Sequence, residues 1–182
     1  TALSQSARRP RTDVQTLLLH GAPATMIVQR ATQERSDLIV LGTRGRSDIK
    51  GFLLGSVARK IASLAACPVL VVKHPMNQLR RALLAVDDSK HSRKAAKFLR
   101  TGLLPDSAEV TVFSSVASPF TDLAAEYLSE SKREALVRPQ IEQAERLVAD
   151  IRQDFLKDGY AVFTDVQQNH IVEHIIKQAE SG

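Results

Sequence analysis

Three glycines and a serine carry the clearest chemistry in this sequence. Gly42, Gly45 and the pair Gly55-Ser56 are spaced Gly42-x2-Gly45-x9-Gly55-Ser56, inside TRGRSDIKGFLLGSVARKI, between the apolar runs DLIVLG and CPVLVVK. A strand that ends in Gly-x-x-Gly leaves its last turn bare of side chains, so backbone N–H groups can approach an anion closely. Gly55-Ser56 stands where a helix begins, and there unpaired N–H groups and the helix dipole favour phosphate. Arg44 and Arg46 lie in the same loop, within reach of a phosphate. The loop's one acid, Asp48, is of a type that makes turns and caps. This is the chemistry of a nucleotide site.

Other chemistries find less support. Cys67 is the only cysteine, so an internal disulfide and a thiol metal cluster are both excluded; it precedes Pro68 and reads as a small buried residue. His170 and His174 stand at i, i+4, but no third ligand lies nearby, and the pair reads as surface decoration. No metal site and no catalytic residue is assigned, since G-x-x-x-x-G-K-[ST] is absent and no histidine–acid constellation emerges. The net charge of +5 is spread over basic runs that lack interleaved aromatics apart from Phe98, which argues for solvated helix faces and against a nucleic-acid groove. No apolar run approaches the ~20 residues that span a bilayer. TALSQSARRP does not read as a signal peptide, so the expectation is a cytoplasmic protein without a membrane partner.

The elements that must position the glycines follow from periodicity. Strands are expected at 13–20, 37–42, 68–73, 80–87, 108–116 and 160–166. Helices are expected at 22–35, 54–65, 90–101 and 170–180, with a helical region at 120–158 interrupted near Pro139. Strands alternating with helices imply a doubly wound open parallel α/β sheet, and aromatics at only 4% suit a core of Leu, Ile, Val and Ala. Asp87 follows an apolar strand at the carboxyl edge where such sheets bind ligands, so its carboxylate can accept a hydroxyl or amino hydrogen bond. Ser89, just ahead of the next helix, reads as its N-cap before it reads as a ligand contact.

The chain also repeats itself. DVQTLLLHGAPATMIVQRATQE set against YAVFTDVQQNHIVEHIIKQAES puts Val14 with Val162, Thr16 with Thr164, Ile27 with Ile175, Val28 with Ile176 and Ala31 with Ala179, an offset of 175 − 27 = 148. The first copy continues into the glycine strand, whereas the second stops at Ser181-Gly182. Residues 1–74 therefore read as the back half of one domain and residues 79–182 as the front part of another, tandem copies with incomplete halves. Asn169 standing where the first copy has Gly21 suggests that one domain is degenerate.

DLIVLGTRGRSDIKGFLLGSVARKIASLAACPVLVVK closely resembles the ATP-binding signature and C-terminal strand of the universal stress protein family, and RRALLAVDDSKHSRKAAKFL resembles its N-terminal strand and first helix. The resemblance implies a five-stranded parallel sheet with helices on both faces, of the adenine nucleotide alpha hydrolase-like type. It implies ATP or a related adenine nucleotide as a regulatory ligand, with or without Mg. Binding roles would fall on Leu41, beside the base, on Gly42, Arg44, Gly45, Gly55, Ser56 and Val57, and on Asp87. It also implies a homodimer through strand 68–73, or the equivalent pairing between tandem domains. The departure is that the glycine loop and Asp87 fall in different halves, where the family keeps both in one domain. A nucleotide-independent dimerisation or scaffold module of the same fold is the alternative, and a weak ATPase is a further one.

Overall fold

Short apolar strands, each parallel to its neighbour, organise the chain. The computed structural model describes residues 13–43, 54–73, 79–120, 127–169 and 171–180. These residues belong to two compact units, Thr1–Pro75 and Met76–Gly182.

In the first unit the order is α1 (Pro23–Gln33), β1 (Ile39–Gly42), α2 (Ser56–Leu64) and β2 (Val69–Val72). Proline opens α1 at a position where its missing N–H costs nothing. The helix closes in a Schellman arrangement, with Ser36 N–H donating to the Ala31 carbonyl (2.9 Å) and Arg35 N–H to that of Thr32 (3.2 Å). That closure puts Arg35 at φ 53. β1 and β2 pair in parallel from Ile39↔Val69 to Gly42↔Val72. Ala24, Ile39 and Ile61 form the unit's apolar centre, with Ile27, Val28, Ala31, Leu41 and the half-buried Cys67 packed around them.

In the second unit the order is β3 (Arg81–Ala85), α3 (Lys90–Arg100), β4 (Glu109–Val116), α4 (Glu130–Lys157), β5 (Ala161–Gln168) and α5 (Ile171–Glu180). The sheet order is β3-β4-β5, all parallel. Being central, β4 is buried over most of its length; Val110 and Val112 are fully buried and Phe113 nearly so. α4 covers the sheet with Leu147, Val148, Ile151 and Phe155. The Phe155 ring meets Tyr160 edge-on, centroids 5.7 Å apart, and the Tyr160 hydroxyl donates to the Leu104 carbonyl at 3.4 Å.

The α/β class with parallel sheets is as expected, and several particulars are not. Among the described residues the sheets hold two strands in one unit and three in the other, fewer than the five strands that the resemblance implies. Residues 13–20 join neither sheet, and Val14 and Leu18 are 79% and 86% exposed. An apolar run becomes a strand only when a neighbouring strand takes its N–H and C=O groups, and the first unit offers this segment none. α4 runs through Pro139 without a break. The ring removes one N–H, but the helix is exposed on both sides of it, so water can serve the carbonyl left without a donor. His170 lies outside the described residues.

At the equivalent positions of the two repeat copies the backbone has a positive φ. Gly21 at φ 137 and Asn169 at φ 58 occupy equivalent positions, and the helix after each begins two residues later, at Pro23 and at Ile171. Asn169 lies in the left-handed α region, whereas φ 137 at Gly21 is a conformation that favours glycine.

Candidate functional site

The glycine turn is built at the carboxyl end of β1. Thr43 N–H donates to the Val72 carbonyl (3.2 Å), adding one rung to the ladder. The Thr43 carbonyl then accepts the Gly55 N–H at 3.0 Å, which returns the chain to the strand end just before α2 starts. Gly55 has ordinary extended backbone angles, φ −64 and ψ 154, so its freedom at positive φ is not the reason for glycine. The reason is space: a Cβ there would lie 3.0 Å from the Thr43 oxygen. α2 begins at Ser56 with no side-chain cap and no acidic residue in its first turn. Its leading N–H groups therefore have no side-chain cap and stand at the positive end of the helix dipole.

The other predicted contacts divide. Gly42, Ser56 and Val57 are exposed beside the turn. The Leu41 side chain packs against the apolar centre of the first unit, so at that residue the backbone is what faces the strand end. Arg44 and Gly45 lie outside the described residues, as do Arg46 and Asp48.

Asp87 belongs to the second unit, at the carboxyl end of β3. The preceding residue is fixed on both sides. Val86 N–H donates to the Phe113 carbonyl (2.8 Å), and the Val86 carbonyl accepts the buried Ser114 hydroxyl (2.9 Å). The Asp87 carboxylate is exposed; its Oδ1 accepts the Ser89 N–H at 3.1 Å, and its own N–H donates to Ser92 Oγ at 3.4 Å. Hydrogen bonds from the Ser89 hydroxyl, then the Ser89 N–H and the Ser92 hydroxyl, hold the Asp87 carboxyl below the usual carboxylate range. Ser89 is the N-cap of α3, its Oγ accepting the Ser92 N–H at 3.1 Å.

Gly42, Gly55, Ser56 and Val57 are thus brought together in one unit, and Asp87 stands in the other. Thr43 and Ser114 are missing from the sequence reading. Thr43 acts through its carbonyl, which no side-chain pattern reveals. Ser114 is signalled only as a serine inside an otherwise apolar strand. Among the described residues no three His, Cys, Asp or Glu side chains gather as a metal site, and no helix is long and apolar enough to cross a membrane.

The universal stress protein family model matches residues 2–73. Universal stress protein MJ0531 of Methanocaldococcus jannaschii is 46% identical over 65 residues, which are 36% of this chain and 38% of that protein. A universal stress protein of Thermus aquaticus is 48% identical over 64 residues, 35% of this chain and 45% of its own length. YxiE of Bacillus subtilis is 38% identical over 69 residues, 38% of this chain and 47% of that protein. The chain thus spans less than half the length of these relatives. In fold it is similar to a universal stress protein from Archaeoglobus fulgidus, with a TM-score of 0.53 at 22% identity, over 87% of this chain and 50% of that one. Residues 2–73, which include β1, α2 and β2, are thus similar to the universal stress protein family.

Proposed function

We propose that the protein is a universal stress protein binding ATP or a related adenine nucleotide, with or without Mg, as a regulatory ligand in stress response. The observation that carries the reading is the start of α2. Gly55 leaves no room for a side chain beside the Thr43 carbonyl, and no side chain caps the N–H groups behind it. A phosphate is the ligand that such a bare, dipole-favoured turn accepts best. Asp87 belongs to the other unit, where its exposed carboxyl, held below the usual carboxylate range, can accept a hydroxyl or amino hydrogen bond.

Titration calorimetry with ATP and Mg on the full chain tests this. The expected outcome is saturable binding that Gly55→Glu abolishes, since the new side chain meets the Thr43 carbonyl and brings a negative charge to the phosphate position. No heat up to millimolar ATP would refute the reading. Release of inorganic phosphate, measured in the same samples, tells a hydrolysing protein from one that only binds.

Tandem organisation belongs to the same proposal. Residues 1–74 read as the back half of one domain and residues 79–182 as the front of another, and the cytoplasm is their expected setting. A nucleotide-independent pairing module is the second reading. It is favoured by the open edges of the short sheets, including β2, and by the exposed Val14, Leu17, Leu18 and Leu19. Sedimentation of wild type and Gly55→Glu separates the two. Self-association that survives the substitution while no ATP binds supports the pairing module, and pairing through strand 68–73 predicts its loss in Val71→Asp.

A further inference from the structure

Charge is distributed unevenly over the helices of the second unit. Six of the eleven residues of α3 are basic, histidine included, and none is acidic. α4 mixes its signs instead: Glu142 binds Arg138 at 3.1 Å and lies 4.0 Å from Arg146. At 3.6 residues per turn, Lys90, Lys94 and Lys97 of α3 fall within about 60° of one another, on the side away from Ala96 and Leu99, which meet the core. All three lysines are exposed. Among the described residues none of them is ion-paired, whereas Arg93 is held by Asp88 and Arg100 by Asp154 and Asp158. The acids that pair with α3 therefore neutralise its arginines and leave the lysine stripe uncompensated.

We propose that this lysine stripe docks on the phosphate backbone of a double-stranded nucleic acid, without reading its sequence. Each other occupant needs something that the face lacks. A single strand is held by stacking its bases on aromatic rings, and α3 has one aromatic residue, the half-buried Phe98. A membrane surface holds a helix through apolar side chains that enter it, and no large apolar residue of α3 is exposed. A protein partner is anchored by aromatic or apolar side chains seated in a pocket, which the same observation excludes. A duplex backbone asks only for spaced cations. It carries one negative charge per about 1.7 Å of its axis, so the roughly 10 Å of helix from Lys90 to Lys97 meets more phosphates than it has lysines. The missing aromatics that exclude a base-stacking groove therefore leave this backbone contact open.

The inference is independent of the nucleotide reading, since Gly55 and α2 take no part in it. The test follows the fluorescence anisotropy of a labelled DNA duplex of about 20 base pairs, titrated with the full chain at several low salt concentrations. Three phosphate contacts give a slope of log affinity against log salt of about −2.7, so a fourfold rise in salt should weaken binding about 40-fold. Two duplexes of unrelated sequence should bind within about twofold of each other. Lys90→Gln, Lys94→Gln and Lys97→Gln together should remove this salt-dependent binding. A control with the same loss of charge on α4, Lys132→Gln with Arg138→Gln and Arg146→Gln, should keep it. All six positions are exposed and glutamine is about as good a helix former as lysine or arginine, so both variants should fold, which circular dichroism checks. Retention of the slope in the α3 variant, or equal loss in the control, overturns the proposal. So does a wild type that leaves the duplex unbound at low salt, or that prefers phosphatidylserine vesicles, a single strand or poly-glutamate to it.

Discussion

Ser114 is the buried polar side chain whose removal has the most direct structural reading. It is 3% exposed within β4, and its hydroxyl donates to the Val86 carbonyl at 2.9 Å, one residue before Asp87. Ser114→Ala removes one oxygen and almost no volume, so the cavity contribution is small. What is lost is a hydrogen bond worth about 1 kcal/mol net, and what is left is a buried carbonyl without its donor, which adds to the cost. The expected destabilisation of the second unit is about 1–2 kcal/mol. With a urea slope of about 1.5–3 kcal/mol/M, the unfolding midpoint should fall by about 0.5–1 M. Far-UV circular dichroism in urea gives the midpoint, and amide exchange at Val86 and Asp87 shows whether the loss is local to the end of β3. Ser114→Thr, which keeps the hydroxyl, serves as the control. A midpoint for Ser114→Ala within about 0.1 M of wild type would show that the hydroxyl does not support the Val86 carbonyl.

Phe155→Ala should cost about 3–5 kcal/mol, because the ring is fully buried and packs edge-on against Tyr160. That is most of the stability of an ordinary domain, so cooperative melting of the second unit should vanish by calorimetry, while Leu136→Ala, at a 52% exposed site, should change little. Acid should reveal Asp158, whose carboxyl is held below its usual range by the hydrogen bond from Arg100 Nε at 2.5 Å. A carboxyl lowered by folding contributes fully above its unfolded value of about 3.9 and loses that contribution as pH falls through the lowered folded value. The wild-type urea midpoint should therefore fall more steeply than that of Asp158→Asn between about pH 5 and pH 2. Parallel curves would remove the pair from the acid response.

Much of this was legible in the sequence, for identifiable reasons. Alternating apolar runs and amphipathic stretches mark the helices and paired strands because burial on one face leaves a period that needs no partner to be read. Ser89 was recognisable as an N-cap because its hydroxyl and the N–H it accepts, that of Ser92, lie three residues apart in the chain. Gly55-Ser56 was recognisable as a helix start, whereas the Thr43 carbonyl that crowds Gly55 has no side-chain signature. Pro139 misled because proline breaks helices by removing a donor, and on an exposed stretch that loss is slight.

The repeated strand–helix segment shows why residues 13–20 escaped that legibility. Both copies have a positive φ ahead of the helix and start their helices at equivalent positions, yet their neighbours differ. In the second copy, residues 161–168 pair along the whole of β4, from Glu109↔Ala161 to Val116↔Gln168. In the first copy, the equivalent residues 13–20 have no such neighbour and leave Leu17 and Leu18 in solvent. The helices show the converse. Ala24 of α1 is 5% exposed against Ile39 and Ile61, whereas its counterpart Val172 of α5 is 68% exposed. Local pattern therefore fixes the helix start, because its hydrogen bonds close within a few residues. It does not fix the strand or the buried helix face, because a parallel neighbour must come from a distant part of a chain. Each copy therefore displays a surface that the other has covered.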